Sequence, residues 1–359
     1  MKFIFKNIKL RKLYIFFLFL ALLNIFFSTG ISHSKTFSIS DVELSAPFKK
    51  NFNKNKIIDE GFTQAFNQLI ISIVQSKDRQ KLEQITLNQI KGMIETFSIK
   101  EEKFVDEIYH IKLNVTFNKK VIFDLLEKKN IFPSLPVKKN IIFLPIIVDQ
   151  DENQIKMFSN NIIHNLWNSN IKKHNLLNYI LPTEDLEDLN IITKNIKNLE
   201  EFEFSEIIKK YNLENYIISI FFVRANQTML LSKISLNNKK TLKNNEIQNI
   251  DLKRNDEVKK FIESLKITFE DYWKSENEIN TSVKLPLTIS VKNNNNIKIY
   301  QLEEKLSNID LIYNFYIYKF DKNNNIYKII FNGTPSKFIE VMKDNNYKFE
   351  TTNKIWVMK

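Results

Sequence analysis

The sequence predicts a mixed α+β or α/β protein of three small modules, in each of which helices cover a sheet. Two continuously apolar runs, 141–148 and 215–223, have the composition of strands buried on both faces. Helical and strand periodicities alternate along the chain beyond residue 36. The last 75 residues follow the order strand, helix, strand, strand, helix, strand. That order predicts a ferredoxin-like βαββαβ unit.

Residues 1–34 have the pattern of a secretory signal peptide. Five basic residues precede an apolar run of 15 residues, 13–27, and small residues follow at Ser32 and Ser34. The run is shorter than the roughly 20 residues that a spanning helix needs. We therefore expect cleavage near Ser34 and a periplasmic mature chain in a Gram-negative bacterium. An uncleaved N-terminal anchor is the alternative.

The composition limits the possible partners. Without the leader, the chain has 48 basic and 41 acidic residues, a balance of +7 over 325 residues. Basic residues are not clustered with stacking aromatics, so nucleic acid is not expected as a partner. The chain contains no cysteine, which excludes a lipoprotein anchor and a disulfide framework. No segment after residue 34 is apolar over a length that could span a membrane, so no membrane span is expected in the mature chain.

The first module is expected over 35–137. The patterns predict the following elements: a strand at 37–44, helices at 56–75 and 79–93, strands at 94–104 and 107–117, and a helix at 119–129. One of the chain's four glycines, Gly61, falls inside the first helix. Glycine costs a helix about 1 kcal/mol relative to alanine. Gly61 and Ala65 share one helix face, so we expect Gly61 to permit close packing against a sheet or a neighbouring helix.

The central module is expected over 138–280 and the last over 281–359. The central patterns predict these elements: a strand at 141–148, a helix at 155–169, a strand at 179–181, helices at 184–193 and 203–212, a strand at 215–223, two further strands, and a helix at 256–278. The last module is predicted to contain a strand at 285–291, a helix at 300–307, strands at 311–320 and 326–332, a helix at 335–344 and a strand at 348–358. Residues 274–284 are polar and are expected to link the two modules.

Motifs of common catalytic and cofactor sites are missing. The glycines, at 30, 61, 92 and 333, are too far apart for a nucleotide-binding loop, and no GxSxG elbow occurs. The three histidines after the leader, His110, His164 and His174, do not have the spacing of a zinc site. No catalytic residue, cofactor or metal is therefore assigned.

Two short segments resemble the start of a calcium-binding loop. They begin at Asp149 and Asp321, and both lack the glycine and the glutamate that such a loop needs at its sixth and twelfth positions. Asp and Asn favour turns, so both segments are interpreted as turns.

The most acidic segment, 181–189, begins a predicted helix. Carboxylates in the first turn of a helix are stabilised by its dipole and its free N–H groups. A metal-dependent enzyme that uses the carboxylates of Glu184, Asp185, Glu187 and Asp188 is the alternative.

Several short motifs, taken together, resemble a known family. They are Gly61, Ala65 and Phe66; Glu101, Glu102, Tyr109 and Phe117; FLPI at 143–146; Phe158, Asn161 and Trp167; Pro182, Asp185 and Asp188; and Trp273 with Lys274. With them the mature chain resembles the proteobacterial periplasmic family known as domain of unknown function 2066. The resemblance implies a compartment and an architecture but no reaction. It also implies a polar pocket formed by Asn161, Trp167, Asp185 and Asp188, although Ile162 and Glu184 replace a proline and a glycine of the family pattern.

The sequence favours a binding or assembly factor of the cell envelope whose partner is an unknown envelope protein. In the predicted strand 311–320, one face carries Tyr316, Tyr318 and Phe320 and has no predicted cover within its module. Tyrosine combines a large apolar contact area with a polar tip, which suits a surface that is alternately wet and buried. The competing interpretation is that the central module packs on this face. A membrane-tethered scaffold is a further alternative if the leader is retained.

Overall fold

A computed structural model describes residues 37–169, 175–224, 227–248 and 250–359. The predicted signal peptide and His174 lie outside the described residues. The fold is mixed α+β, with three sheets packed against helices. The sheets fall within the predicted ranges 35–137, 138–280 and 281–359.

The first sheet has three antiparallel strands in the order β1–β3–β2. Its elements are β1 (Ser38–Pro47), α1 (Lys54–Ile73), α2 (Ser76–Arg79), α3 (Leu87–Met93), β2 (Ile94–Val105), β3 (Ile108–Phe117) and α4 (Lys119–Lys128). The side chains of β3 alternate between buried and half-buried over most of the strand, as its period of two predicts. Helix α1 packs across this sheet.

Gly61 lies where α1 packs against the sheet. A Cβ atom at this position would collide with Cδ1 of Leu113 and would lie 3.0 Å from Cδ1 of Leu44. The packing explanation of this glycine is therefore confirmed, because a side chain here would have to displace the ends of the Leu113 and Leu44 side chains.

The single helix predicted over 79–93 is wrong. The chain forms α2 and a 3₁₀ turn at Gln80–Leu82, and it restarts as a helix only at Leu87. Thr86 and Gln89 form a reciprocal capping box at this restart. A threonine that caps a new helix competes with helix continuation, and the apolar periodicity does not reveal that competition.

The central sheet has the order β5–β4–β7–β8–β9, with β6 paired to the first half of β4. Its elements are β4 (Lys139–Asp149), β5 (Gln154–Lys156), α5 (Ile162–Trp167), β6 (Leu177–Ile180), α6 (Leu186–Lys194), α7 (Ser205–Lys209), β7 (Tyr216–Arg224), β8 (Gln227–Leu236), β9 (Lys239–Gln248) and α8 (Asn255–Glu276). Helices α5 and α8 cover one face and α6 and α7 the other. The two apolar runs form the buried strands β4 and β7, as predicted, and the structure pairs these two strands in parallel.

The helix predicted over 155–169 is also wrong in extent. Gln154–Lys156 instead pairs antiparallel with the end of β4, and a 3₁₀ turn follows. The helix begins after Asn161, whose side chain accepts hydrogen bonds from the N–H groups of Ile163 and His164.

The last sheet has the order β11–β12–β10–β14–β13. Its elements are β10 (Leu285–Lys292), α9 (Asn296–Asn308), β11 (Ile312–Phe320), β12 (Asn324–Phe331), α10 (Pro335–Asp344), β13 (Phe349–Glu350) and β14 (Trp356–Met358). The predicted final strand, 348–358, is instead a short hairpin. The polar residues of 351–354 form its turn, and β14 pairs parallel with β10.

The first and last sheets share one hydrophobic core. Buried residues between 37 and 131 belong to the same cluster as buried residues between 279 and 342. Polar contacts of α4 join the first and last modules as well: the Lys119 ammonium donates to the Ile309 carbonyl at 2.8 Å, and Asp124 accepts from the Tyr313 hydroxyl at 2.8 Å. Among the described helices, none is both long and apolar enough to cross a membrane.

Candidate functional site

The exposed aromatic residues of β11 lie on an edge strand. β11 is the first strand in its sheet, so among the described strands only β12 is its neighbour. Tyr316 is 46% exposed, Tyr318 is 59% exposed and Phe320 is 77% exposed. The described part of the central module does not cover these side chains.

A β-bulge at Tyr318 changes which face Phe320 occupies. Tyr316 lies opposite Lys328 and Lys319 opposite Ile326, on the outer face of the sheet. Phe320 lies opposite Asn325, on the same side of the sheet as the buried Tyr327. The bulge inserts one residue and thereby reverses the alternation beyond it. The sequence placed Phe320 beside Tyr316 and Tyr318, and that placement is wrong.

The acidic segment at the start of α6 is bound to a lysine. Asp185 caps the helix by accepting from the N–H of Glu187 at 2.8 Å and of Asp188 at 3.3 Å. The ammonium of Lys210, just after α7, lies 2.8 Å from Asp185 and 2.6 Å from Asp188. Its hydrogen bond holds the pKa of Asp185 below its usual value and raises the pKa of Lys210. The carboxylates thus already have a cation, which joins α6 to the end of α7.

Added Ca²⁺, Mg²⁺ or Mn²⁺ is expected to leave the melting temperature unchanged. Nowhere in the described ranges do three His, Asp or Glu side chains converge as a metal site requires. A metal at 100 times its dissociation constant would stabilise the fold by about 2.7 kcal/mol, which differential scanning fluorimetry detects readily. A metal-dependent rise that Asp185→Asn abolishes would contradict this expectation and favour the enzyme.

Asn161 completes an interrupted sheet edge. It is fully buried, and its amide donates to the carbonyls of Pro145 and Lys156, both at 3.1 Å. Pro145 lies in the part of β4 between the segments paired with β6 and β5. Proline cannot donate to a neighbouring strand, and the Asn161 amide supplies the donor that its carbonyl needs. Both ends of the amide are therefore used within the fold.

Trp167 is a core residue beneath α8. Its ring stacks on Phe143, with centroids 3.7 Å apart, and its carbonyl accepts from the Lys266 ammonium at 2.5 Å. Its indole N–H and the hydroxyl of Tyr179 are buried and have no hydrogen-bond partner among the described residues. The four predicted residues therefore do not form one pocket. Asp185 and Asp188 share the ammonium of Lys210, whereas Asn161 and Trp167 are buried and make separate contacts.

The two calcium-like segments make turn contacts. Asp149 accepts from the N–H of Glu152 at 3.0 Å and binds the Lys156 ammonium at 2.8 Å. Asp321 accepts from the N–H groups of Asn323 and Asn324, both at 2.8 Å. These bonds are those of turns closed by an aspartate side chain. His164, in turn, contacts the Pro182 carbonyl through Nε2 at 3.0 Å.

An open cleft of about 870 Å³ lies at the carboxyl ends of β4 and β7. Open α/β sheets commonly bind ligands at the carboxyl ends of their strands. Its rim carries Arg224 and Lys197 together with Glu200 and Glu201. Because both signs of charge are present and the cleft is wide, it selects no ligand class.

Sequence reasoning named Lys274 only as part of a motif and missed its role, which is to link α8 to the first module. Its side chain is 1% exposed, and its ammonium donates to the carbonyls of Ile71 at 2.6 Å and Val74 at 3.3 Å. It therefore satisfies carbonyls at the C-terminus of α1, where a cation also interacts well with the helix dipole. Lys274 follows Glu270 by four residues, and both charged residues fall on the apolar side of α8. This pair of opposite charges on an apolar face is the signal that could have identified Lys274.

Lys274 is expected to make the fold more stable as the pH rises from 8 to 10. Burial lowers its pKa to about 8, from 10.5 in an exposed lysine. Between these values the unfolded chain binds more protons than the folded one, so the free energy of unfolding rises with pH. One titrating group contributes at most about 1.4 kcal/mol per pH unit. Urea unfolding at pH 7.5, 8.5 and 9.5 measures the slope.

The matched variant is Lys274→Met, which removes the titrating group and should flatten this slope. If the free energy of unfolding depends on pH equally in both proteins, the pKa of Lys274 is not lowered by burial. The window ends near pH 10, because burial raises the pKa of Tyr109 and Tyr313 to about 12. Their contribution to stability is lost at higher pH.

No protein-family model and no curated protein matches this chain. The resemblance to the periplasmic family therefore stays a prediction.

Proposed function

We propose that this protein is an exported, non-catalytic binding or assembly factor of the cell envelope, and that β11 is where it docks an extended segment of its partner. The observation that carries the proposal is the composition of this edge strand. An edge presents free N–H and C=O groups to which another chain can add a strand.

Other long edge strands of the described sheets carry residues that oppose pairing. β2 has five charged residues and β9 has four, whereas β1 has two and ends in proline. Charges and proline are the usual protection of an edge. β11 has nine residues, neither proline nor glycine, and one charge, Lys319. A strand of this length without such protection is expected to have a partner.

The proposal differs from the enzyme alternative in its use of the acidic segment. Lys210 occupies Asp185 and Asp188, so these carboxylates serve the structure. The exposed aromatic side chains of β11 instead offer contact area to a partner. Truncating these side chains would remove that area without removing any packing in the core.

The test uses the purified mature chain as bait for a periplasmic extract. We expect Tyr316→Ala with Tyr318→Ala to keep the wild-type melting temperature and to lose the partner, which mass spectrometry identifies. Tyr300→Ala, at an exposed tyrosine of α9, is the matched control and should keep it. Equal recovery by the double variant would place docking elsewhere, and an unfolded double variant would show that the face is internal.

Export is tested separately by N-terminal sequencing of the protein recovered after osmotic shock. We expect a mature N-terminus near Lys35. Full-length chain in the inner membrane would instead support a tethered scaffold.

A further inference from the structure

The two faces of β11 offer different chemistry to an added strand. Between its bulges the side chains alternate: Tyr316 points to the outer face, and Phe315 and Ile317 lie opposite Ile329 and Tyr327 on the helix-covered face. A partner strand on the free edge would place its own side chains alternately beside these two rows.

The outer row is basic. Lys319 and Lys328 lie on this face, and Lys322 lies in the adjoining hairpin. The Lys328 ammonium stands 3.9 Å from the ring centroid of Tyr318. In the described part of the chain none of the three lysines forms a salt bridge, whereas Lys54 and Lys284 do.

The acidic residue of this hairpin is already engaged. Asp321 accepts two backbone hydrogen bonds that close the turn, and these bonds lower its pKa. Lys319 also acts on Asp321 and lowers its pKa, so this one negative charge offsets only part of the three lysines. A positive excess remains beside the edge, which favours an acidic partner.

The other row is apolar and continues the core. Ile317 is 47% exposed, although its cross-strand neighbour Tyr327 is fully buried. Phe320 lies on the same face and is exposed as well. An apolar side chain placed beside Ile317 would cover surface that the module leaves open at this edge.

We infer that the segment bound at β11 is an extended peptide in which acidic and apolar residues alternate. The acidic residues meet Lys319 and Lys328 on the outer face, and the apolar residues meet Ile317 and Phe320 on the other. This inference rests on the proposed docking function and adds the chemistry of the partner.

The test measures the binding of labelled nine-residue peptides to the mature protein by fluorescence anisotropy. Three probes are used: alternating glutamate and valine, alternating lysine and valine, and the glutamate and valine residues in two separate blocks. We expect the alternating acidic probe to bind most tightly, by at least tenfold over each of the others. Its affinity should fall as salt is added, because the contacts are charged.

Charge reversal gives the matched test. Lys319→Glu with Lys328→Glu should weaken the acidic probe at least tenfold and favour the basic one. Lys259→Glu with Lys260→Glu, on the exposed side of α8, should change neither. Equal binding of acidic and basic probes would overturn the charge assignment, and equal binding of the block probe would overturn strand addition.

Two further outcomes separate the occupants. Should the periplasmic partner depend on Tyr316 and Tyr318 while the acidic probe fails to bind, the docking function stands and its partner chemistry is wrong. A concentration-dependent dimer that Tyr316→Lys abolishes would identify a second copy of this chain as the occupant and would overturn the inference.

Discussion

Replacing Gly61 with leucine is expected to lower the free energy of unfolding by about 3 kcal/mol, the upper part of the usual range for overpacking a core. The added side chain would enter the space of Leu113, which is fully buried in the central strand of the first sheet. Equilibrium urea unfolding followed by circular dichroism measures the loss.

The controls separate packing from helix propensity. Gly61→Ala should cost less than leucine, since its single methyl group meets the flexible end of Leu113. Gly92→Ala is the matched case, because a Cβ atom there meets nothing within 4 Å. It should gain about 0.5 to 1 kcal/mol from helix propensity alone. An unchanged midpoint for Gly61→Leu would mean that α1 does not contact the sheet at this residue.

Replacing Lys210 with methionine is expected to lower both the free energy of unfolding and the melting temperature at pH 7. The variant leaves the carboxylate of Asp188, which is 1% exposed, without its cation. Removing one partner of a buried ion pair is destabilising, because it leaves the other charge uncompensated. Lys210 itself is 38% exposed, so water screens part of this effect. Thermal or urea unfolding of both proteins gives the difference.

A double-mutant cycle tests the cause of this loss. Adding Asp188→Asn to Lys210→Met should recover part of the stability, because the uncompensated charge is gone. Lys209→Met, at the preceding lysine, should change stability by less than about 0.5 kcal/mol. Since Lys210 lowers the pKa of Asp185, that part of the stabilisation is present above the usual aspartate pKa near 3.8 and is lost as the pH falls through the lowered value. A loss that stays constant down to pH 2 would contradict the ion pair.

Local patterns were sufficient for most of the elements. The runs at 141–148 and 215–223 are apolar at nearly every position because both faces of β4 and β7 are covered, so their burial could be predicted. Tyr316 and Tyr318 could be placed together on one face of their strand, since the alternation of side chains along a strand is also a local property.

Features that depend on distant pairing could not be predicted. The face of Phe320 depends on a bulge, and the bulge depends on how β11 pairs with β12. The cation of the acidic segment is Lys210, which lies 22 residues from Asp188 in sequence. Asn161 caps a helix and also fills an interrupted sheet edge, and only the position of Pro145 in space shows the second role.

The neighbouring ends of the central module imply an order of folding. Ser134 forms a bridge with Glu278, and the Ile279 N–H donates to the Pro133 carbonyl at 2.7 Å. The chain thus leaves and rejoins a discontinuous domain at one point, with the central module as an insertion. A domain generally folds once its own residues are all available. As the chain is synthesised from its N-terminus, the insertion is complete once Glu276 has been added, whereas the surrounding domain is complete only after Trp356 to Met358. The part of the surrounding domain that precedes the insertion must therefore avoid aggregation while the insertion folds.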